Sequence, residues 1–448
     1  MENTVTAAGF ARLEIDPPLG LRIGGYFNAR FVKGYLDPLY VNAIAFREGE
    51  RVGVMLVMDL LAIWGRLSEE WPVAIEKELG LAEHTVFITN IHSHTTPSVG
   101  LNSGKYAGWD DEQYNAWLFR RMCDAAKLAI EDAREIVDVR TVQGETVEMT
   151  FVRRYYMKDG SVMMNPPFRK PEDRAQMDRP ACETDETFRV IRIMRAEGPD
   201  VVVVNYQTHP DSIGGELISA DFPGALRRRV EEKLPNTRCV YVNGAEGQMN
   251  RVNRIHPEPP IPPEKKYEDC VQYGEKLGDL AVELFDKAVS TGRRGFASAA
   301  KTIWVKSKYD PDLVPEARRI VELYDSGRKS EIAPTERLAN AASIGARRII
   351  SCYESGLKEI DLPIITFQFC GVVFAGVPGE PFNELGKRLR ASSPFPMTCV
   401  CCITNGAGGY FATAEAYDQG GYEPNNSSCA KGVLEAIGDA CEELIATL

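Results

Sequence analysis

The 448-residue chain predicts an α/β fold: a mixed β-sheet core flanked by helices, with its site at the carboxyl ends of strands. Three observations carry that expectation. Apolar, β-branched runs of strand length recur along the chain, and segments of helical spacing fall between them. Several core runs also break directly into motifs dense in polar or glycine residues, and ligands of open α/β sheets bind just outside strand carboxyl ends.

Ala7 to Ile15 reads as a strand, closed by Asp16-Pro17-Pro18-Leu19-Gly20, whose prolines cannot continue a ladder. Tyr40 to Phe46 and Val52 to Met58 follow as strands, the second ending at Asp59. A helix starts near Ser68, with Glu69 and Glu70 in its first turn, and ends at Gly80. The run Val86-Phe87-Ile88-Thr89 is a buried strand that leads into Asn90-Ile91-His92-Ser93-His94-Thr95-Thr96-Pro97. From Asp110 to Glu135 the spacing is helical, placing Trp117, Leu118, Met122, Ala125 and Ala129 on one stripe. Val139 to Tyr156 is strand-like and contains Arg153-Arg154, and the proline-bearing segment from Pro166 to Asp185 reads as a long surface loop.

Strands return at Phe188 to Met194 and at Val201 to Tyr206, the latter running into Gln207-Thr208-His209. A helix follows Asp221-Phe222-Pro223-Gly224, and the strand Cys239 to Val242 runs into the loop from Asn243 to Asn250. The tract from His256 to Pro263 is too rich in proline for regular structure, which makes it a hinge between two lobes of a single domain spanning 1–448. Helical patterns fill Lys266 to Val289, Asp312 to Tyr324 and Pro334 to Glu354. Strands Ile360 to Phe369 and Val372 to Val377 lead into Pro378-Gly379-Glu380 and a helix through Arg390. Met397 to Ile403 is a last core strand before the glycine-rich run ending at Tyr410, and a helix over Ala430 to Leu444 closes the chain.

Composition narrows the function. A net charge of −12 argues against a broad nucleic-acid or anionic-membrane surface, and no apolar run is long enough to span a membrane. Without an export signal at the first residues, the eleven cysteines are expected to be reduced and mostly core, Cys399-Val400-Cys401-Cys402 included, and the compartment cytoplasmic. The partner class is a small-molecule substrate.

The chain has only five histidines, and two of them, His92 and His94, stand together just past a strand. On an extended backbone they share a face and present two rings to one site, as zinc sites require. A hydrogen-bonded pair at a strand end is the competing reading. If the strand ends converge, His92, His94, His209, Glu380 and Tyr410 gather in one place, although each piece taken singly also fits a capped turn.

The order and spacing of these motifs over nearly the whole chain resemble the catalytic domain of the neutral/alkaline, non-lysosomal ceramidase family. The resemblance runs through Gly24-Gly25-Tyr26, Asp59, His92-Ser93-His94, Tyr206 to His209, Ser219 to Gly224, Asn243-Gly244-Ala245, Pro378-Gly379-Glu380, Gly409-Tyr410 and Gly421-Tyr422-Glu423. It implies one zinc ion held by His92, His209, Glu380 and Tyr410, with His94 and Tyr422 meeting the scissile group and Arg153 (or the adjacent Arg154) lining the site. The chain departs from the family at Asn250, read as standing where the ceramidases place a serine, and at Gln248, and no C-terminal β-sandwich domain is expected.

These features predict a zinc-dependent hydrolase that cleaves an N-acyl amide bond with metal-activated water, on a small polar substrate rather than ceramide. The alternatives are a zinc esterase or lactonase, a glycosidase using paired carboxylates such as Asp59 and Glu380, and a binding protein with a decayed site.

Overall fold

A computed structural model describes residues 5–100, 111–168, 170–256, 265–332 and 341–448. Most of the expected elements form, because the central strand runs, such as Arg51–Met58, Asp200–Tyr206 and Val372–Gly376, are apolar enough to be buried on both faces. The larger sheet runs, in spatial order, Thr237–Asn243, Asp200–Tyr206, Thr187–Arg195, Arg134–Glu145, Thr6–Glu14, Tyr40–Glu48, Arg51–Met58 and Val86–Asn90, with Val289–Ser290 added beside Arg134–Glu145. Its centre is antiparallel, whereas the outermost pair at each edge is parallel. A smaller sheet of Phe296–Lys306, Glu359–Phe369, Val372–Gly376 and Met397–Cys401 is antiparallel except for its last pair, which is parallel.

Parallel pairs need a crossover, and a helix supplies it three times. Arg66–Leu79 joins Arg51–Met58 to Val86–Asn90, Asp221–Lys233 joins Asp200–Tyr206 to Thr237–Asn243, and Asn383–Ser392 joins Val372–Gly376 to Met397–Cys401. The two sheets pack face to face. Phe46 of the larger sheet meets Phe367, Phe369 and Phe374 of the smaller, with ring centroids 4.7–6.4 Å apart. Asn205 donates to the carbonyl of Val400 across the same seam. The helix Asp111–Glu131 covers the outer face of the larger sheet, and Val433–Ala446 covers the smaller one through Ile437, Ala440 and Cys441. The mixed sheet flanked by helices is therefore observed.

Some local expectations are revised. On the helix Asp111–Glu131, Leu118, Met122, Ala125 and Ala129 are buried as their spacing requires, but Trp117 is exposed. Tyr114 takes the buried place instead and donates its hydroxyl to the carbonyl of Ile15. The strand-like stretch after Val139 ends at Glu145 and resumes as the short strands Phe151–Val152 and Arg154–Met157. The segment expected as a loop from Pro166 contains a short helix, Pro171–Ala175, and a strand, Met177–Pro180, that pairs with Arg154–Met157. The edge strand Phe296–Lys306 was not anticipated, because its side chains are mostly solvated and carry little apolar alternation. The proposed hinge beyond His256 lies outside the described residues, as do the first residues of the helix expected from Pro334. All eleven cysteines are free, and all but Cys182 are buried. No helix among the described residues is long and apolar enough to cross a membrane.

Candidate metal centre

The three parallel strand–helix–strand units aim their strand ends at one point. His92 follows Val86–Asn90, His209 follows Asp200–Tyr206, Glu246 follows Thr237–Asn243, and Glu380 follows Val372–Gly376. One ligand atom from each of these four buried residues lies within 4.8 Å of the others, and His94 joins His92 and His209 in an overlapping group.

The tautomers are set from behind. His92 Nδ1 lies 2.9 Å from the carbonyl of Leu61, and His209 Nδ1 lies 3.0 Å from the carbonyl of Glu246 and against the Glu246 carboxylate. A carbonyl only accepts, so both Nδ1 atoms carry hydrogen and, in the neutral rings, both Nε2 atoms present lone pairs forward. Those lone pairs face Glu380 Oε2, at 3.5 Å from His92 and 3.1 Å from His209. His209 Nε2 and Glu380 Oε2 are buried without a hydrogen-bond partner among the described residues. Three acceptors crowded together in a dry interior repel one another unless a cation lies among them. Two neutral imidazoles and two carboxylates sum to two negative charges, which a divalent ion would balance. The donor set fits a metal, and histidines held from behind by a carbonyl or a carboxylate are usual around one.

The same imbalance appears in the proton affinities. Burial opposes a charge on His92, but Glu380 and Glu246 outweigh it and raise the imidazole to about 9. Burial and Arg153 oppose a charge on His209, yet Glu246 and Glu380 still raise it. Glu380 is itself held well below the usual carboxylate range, since the two histidines overcome its burial.

His92 reaches this point differently from the expectation. The strand ends at Asn90, and His92 has φ +68°, so the two histidines do not share a face by extended alternation. A left-handed turn brings their rings together instead, at 5.1 Å and 90°. A non-glycine residue held there costs free energy that the surroundings must offset.

Tyr410 lies opposite Glu380 in a short parallel pair, and its ring stacks 6.5 Å from His209. Burial, then the Glu380 carboxylate, push its hydroxyl well above the ordinary phenol range. Tyr422, at the start of the short helix Tyr422–Asn426, lies 5.7 Å from the Tyr410 ring and is raised to about 12, mainly by burial. Arg153 reaches the Tyr410 ring at 5.4 Å, donates to Glu423 Oε1 at 2.9 Å and to the carbonyl of Gly247 at 2.7 Å. Arg154 binds the other oxygen of Glu423 and points away, to Gln419 and Gly420. Between the two arginines, Arg153 is the one beside Tyr410.

His94 is partly buried, with both ring nitrogens out of solvent and without a hydrogen-bond partner among the described residues; Asp211 Oδ1 is 3.9 Å from Nδ1. Burial lowers its pKa to about 3, so the ring is neutral. Asn250 is occupied elsewhere: its amide donates to Asn165 Oδ1 at 2.9 Å and accepts from the Val252 N–H. The loop enters the cluster through Glu246, four residues earlier, which sequence reasoning did not single out. Its position after a strand, between Ala245 and Gly247, was the available signal. Gly247 is required beside it, because a Cβ there would lie 2.6 Å from the carbonyl oxygen of Glu380. Asp59 is likewise committed, with both carboxylate oxygens 2.6 Å from Arg227, so it does not pair with Glu380 as a glycosidase would need.

Fold and site together define an α/β protein with a buried His/Glu cluster able to hold a metal. No family model matches the chain, and no curated protein matches its sequence. Two solved structures are similar throughout. A ceramidase complexed with C2 is 13% identical, with a TM-score of 0.72 covering 99% of this chain and 75% of that one. A neutral ceramidase from Pseudomonas aeruginosa is 14% identical, with a TM-score of 0.72 covering 100% of this chain and 75% of that one. The chain has a ceramidase-like fold.

Proposed function

We propose that this chain is a metal-dependent hydrolase that cleaves the amide bond of a small, polar N-acyl substrate. The observation that carries this reading is the convergence of His92 Nε2, His209 Nε2 and Glu380 Oε2, with both Nδ1 atoms already spent on protein acceptors. The fold shared with ceramidases supports the amide-hydrolase class. His92, His209, Glu380 and Tyr410 would hold the ion, and imidazole-rich ligation favours zinc. The chemistry such an ion supplies when bound is an activated water near neutral pH and a polarised carbonyl.

The chain's own groups supply the rest. Tyr422 keeps its proton and can donate to the oxygen that gains charge when a carbonyl is attacked. His94, as a neutral imidazole, is a hydrogen-bond donor to that oxygen rather than an acid for the leaving nitrogen. Arg153 works through Tyr410, whose ring it faces, while Glu423 and Gly247 fix its guanidinium. Glu246 orients His209 from behind. The rim beside His94 is polar, formed by Asp211 with its partners Lys265 and Tyr26, which suits a polar substrate better than a long lipid chain.

The test is metal analysis of the purified protein together with incubation on N-acyl and ester substrate panels, with and without a chelator. Stoichiometric metal and amide turnover that a chelator abolishes and zinc restores are expected. Protein that binds no divalent metal, or turnover indifferent to chelation, overturns the proposal; cleavage of esters alone transfers it to an esterase.

A further inference from the structure

We propose that Arg254 is the anchor for an anionic group, a carboxylate, on the substrate of this site, so that the enzyme acts on N-acyl compounds whose amine part carries a negative charge. The inference rests on the hydrolase reading for the bond that is cut, but not for the anchoring itself.

The wall beside Tyr410 carries more positive charge than it uses. Arg153 and Arg154 share the single carboxylate of Glu423. Arg254, near enough to Arg153 for the two cations to repel, has no carboxylate oxygen within 4.0 Å among the described residues. Two of these three guanidinium groups share one carboxylate and the third has none among the described residues, a surplus that a divalent ion in the cluster would leave uncancelled.

Arg254 is also built in rather than left in solvent. Its Nε donates to Asn165 Oδ1 at 3.1 Å, its Nη1 donates to the Pro166 carbonyl at 2.9 Å, and its guanidinium lies over Phe168, 4.6 Å from the ring centroid. These contacts hold the plane of the fork and leave Nη2 without a hydrogen bond among the described residues. Half-burial disfavours the cation and, with Arg153 nearby, lowers it to about 10, so it remains charged at neutral pH. A fixed planar cation with a spare donor and no counter-ion among the described residues suits a planar anion.

Asn165 ties this cation to the site. Its backbone N–H donates to the carbonyl of Arg153 at 2.7 Å, and its side-chain oxygen accepts from both Asn250 and Arg254. Asn250 thereby acquires a role that loop position alone did not suggest: it positions Asn165, and through it Arg254.

The experiment measures binding to the full, metal-loaded chain with two probes that cannot be hydrolysed. The first is the ketone isostere of N-hexanoylglycine, in which a methylene replaces the amide N–H; the second is its uncharged carboxamide. The charged probe should bind about tenfold more tightly than the uncharged one. Arg254→Gln should bring the two within about twofold, and Arg254→Lys, which keeps the charge but loses the fork, should retain part of the preference. Metal content and melting temperature report whether each variant folds. Equal affinities in the unaltered protein, failure to bind either probe, or a preference that survives in folded Arg254→Gln each overturn the inference. Hydrolysis of N-hexanoylglycinamide is read separately, so a protein that keeps the charge preference without turnover defeats the hydrolase reading alone.

Discussion

At the scale of single residues, the cluster separates groups that would touch the metal from groups that hold those groups in place. Alanine at His92 or Glu380 should remove both bound metal and turnover, since each deletes one of three converging atoms. Retention of stoichiometric metal in both variants, measured by elemental analysis, would falsify the ligand assignment. Glu246→Gln should act more mildly, weakening metal affinity about 10- to 100-fold, as loss of a carboxylate behind a ligating histidine does. Tyr422→Phe should lower turnover and leave metal content unchanged, because its hydroxyl contacts Asn426 rather than the cluster. A fall in metal content in that variant would make Tyr422 part of the centre itself.

At the scale of elements, the site depends on three strand–helix–strand units meeting closely. Gly247 donates its N–H to the carbonyl of Pro381 at 2.9 Å, so the loop carrying Glu246 lies directly on the strand carrying Glu380. Gly247→Ala would drive a methyl into that strand's backbone and should cost about 1–3 kcal/mol of stability, with a loss of metal affinity beyond what the stability change explains. Wild-type metal binding in that variant would show that the contact is not needed. A second tie joins the larger sheet to the helix after Glu380, where Arg390 donates to Asp185 Oδ2 at 2.8 Å. Burial would raise the Asp185 carboxyl, but Arg390 and the Thr187 N–H prevail and hold it below 3.8. Its stabilisation is therefore complete above the unfolded value and lost as the pH falls through the folded one. Urea unfolding of Asp185→Asn should show a shallower loss of stability below about pH 4 than the unaltered chain. An identical acid slope would remove Asp185 from the account.

At the scale of the whole molecule, the sequence made the layers legible because burial on both sides leaves continuous apolar runs, as in Val201–Tyr206 and Val372–Gly376. It made His92 and His209 legible because each follows such a run and histidine is rare in this chain, and Glu380 because it follows such a run through the turn Pro378-Gly379. Glu246 stayed hidden, since one glutamate among many acidic residues has no mark until the fold surrounds it with histidines. The solvated strand Phe296–Lys306 and the short helix at Tyr422 stayed hidden for the opposite reason: they are fixed by neighbours distant in sequence, not by their own patterning. Arg254 stands beside the loop in the sequence, but only the fold shows that no carboxylate lies within 4.0 Å of it among the described residues.

The order in which the three units occur along the chain has a further consequence. His92 comes from the first, His209 and Glu246 from the second, and Glu380 from the third, so a chain growing from its amino end completes the cluster only once the third unit has emerged. An ion cannot seed the early part of this fold. A bound ion would act as a clasp across the three units, and uptake of metal should mark the arrival of the third rather than the collapse of the first.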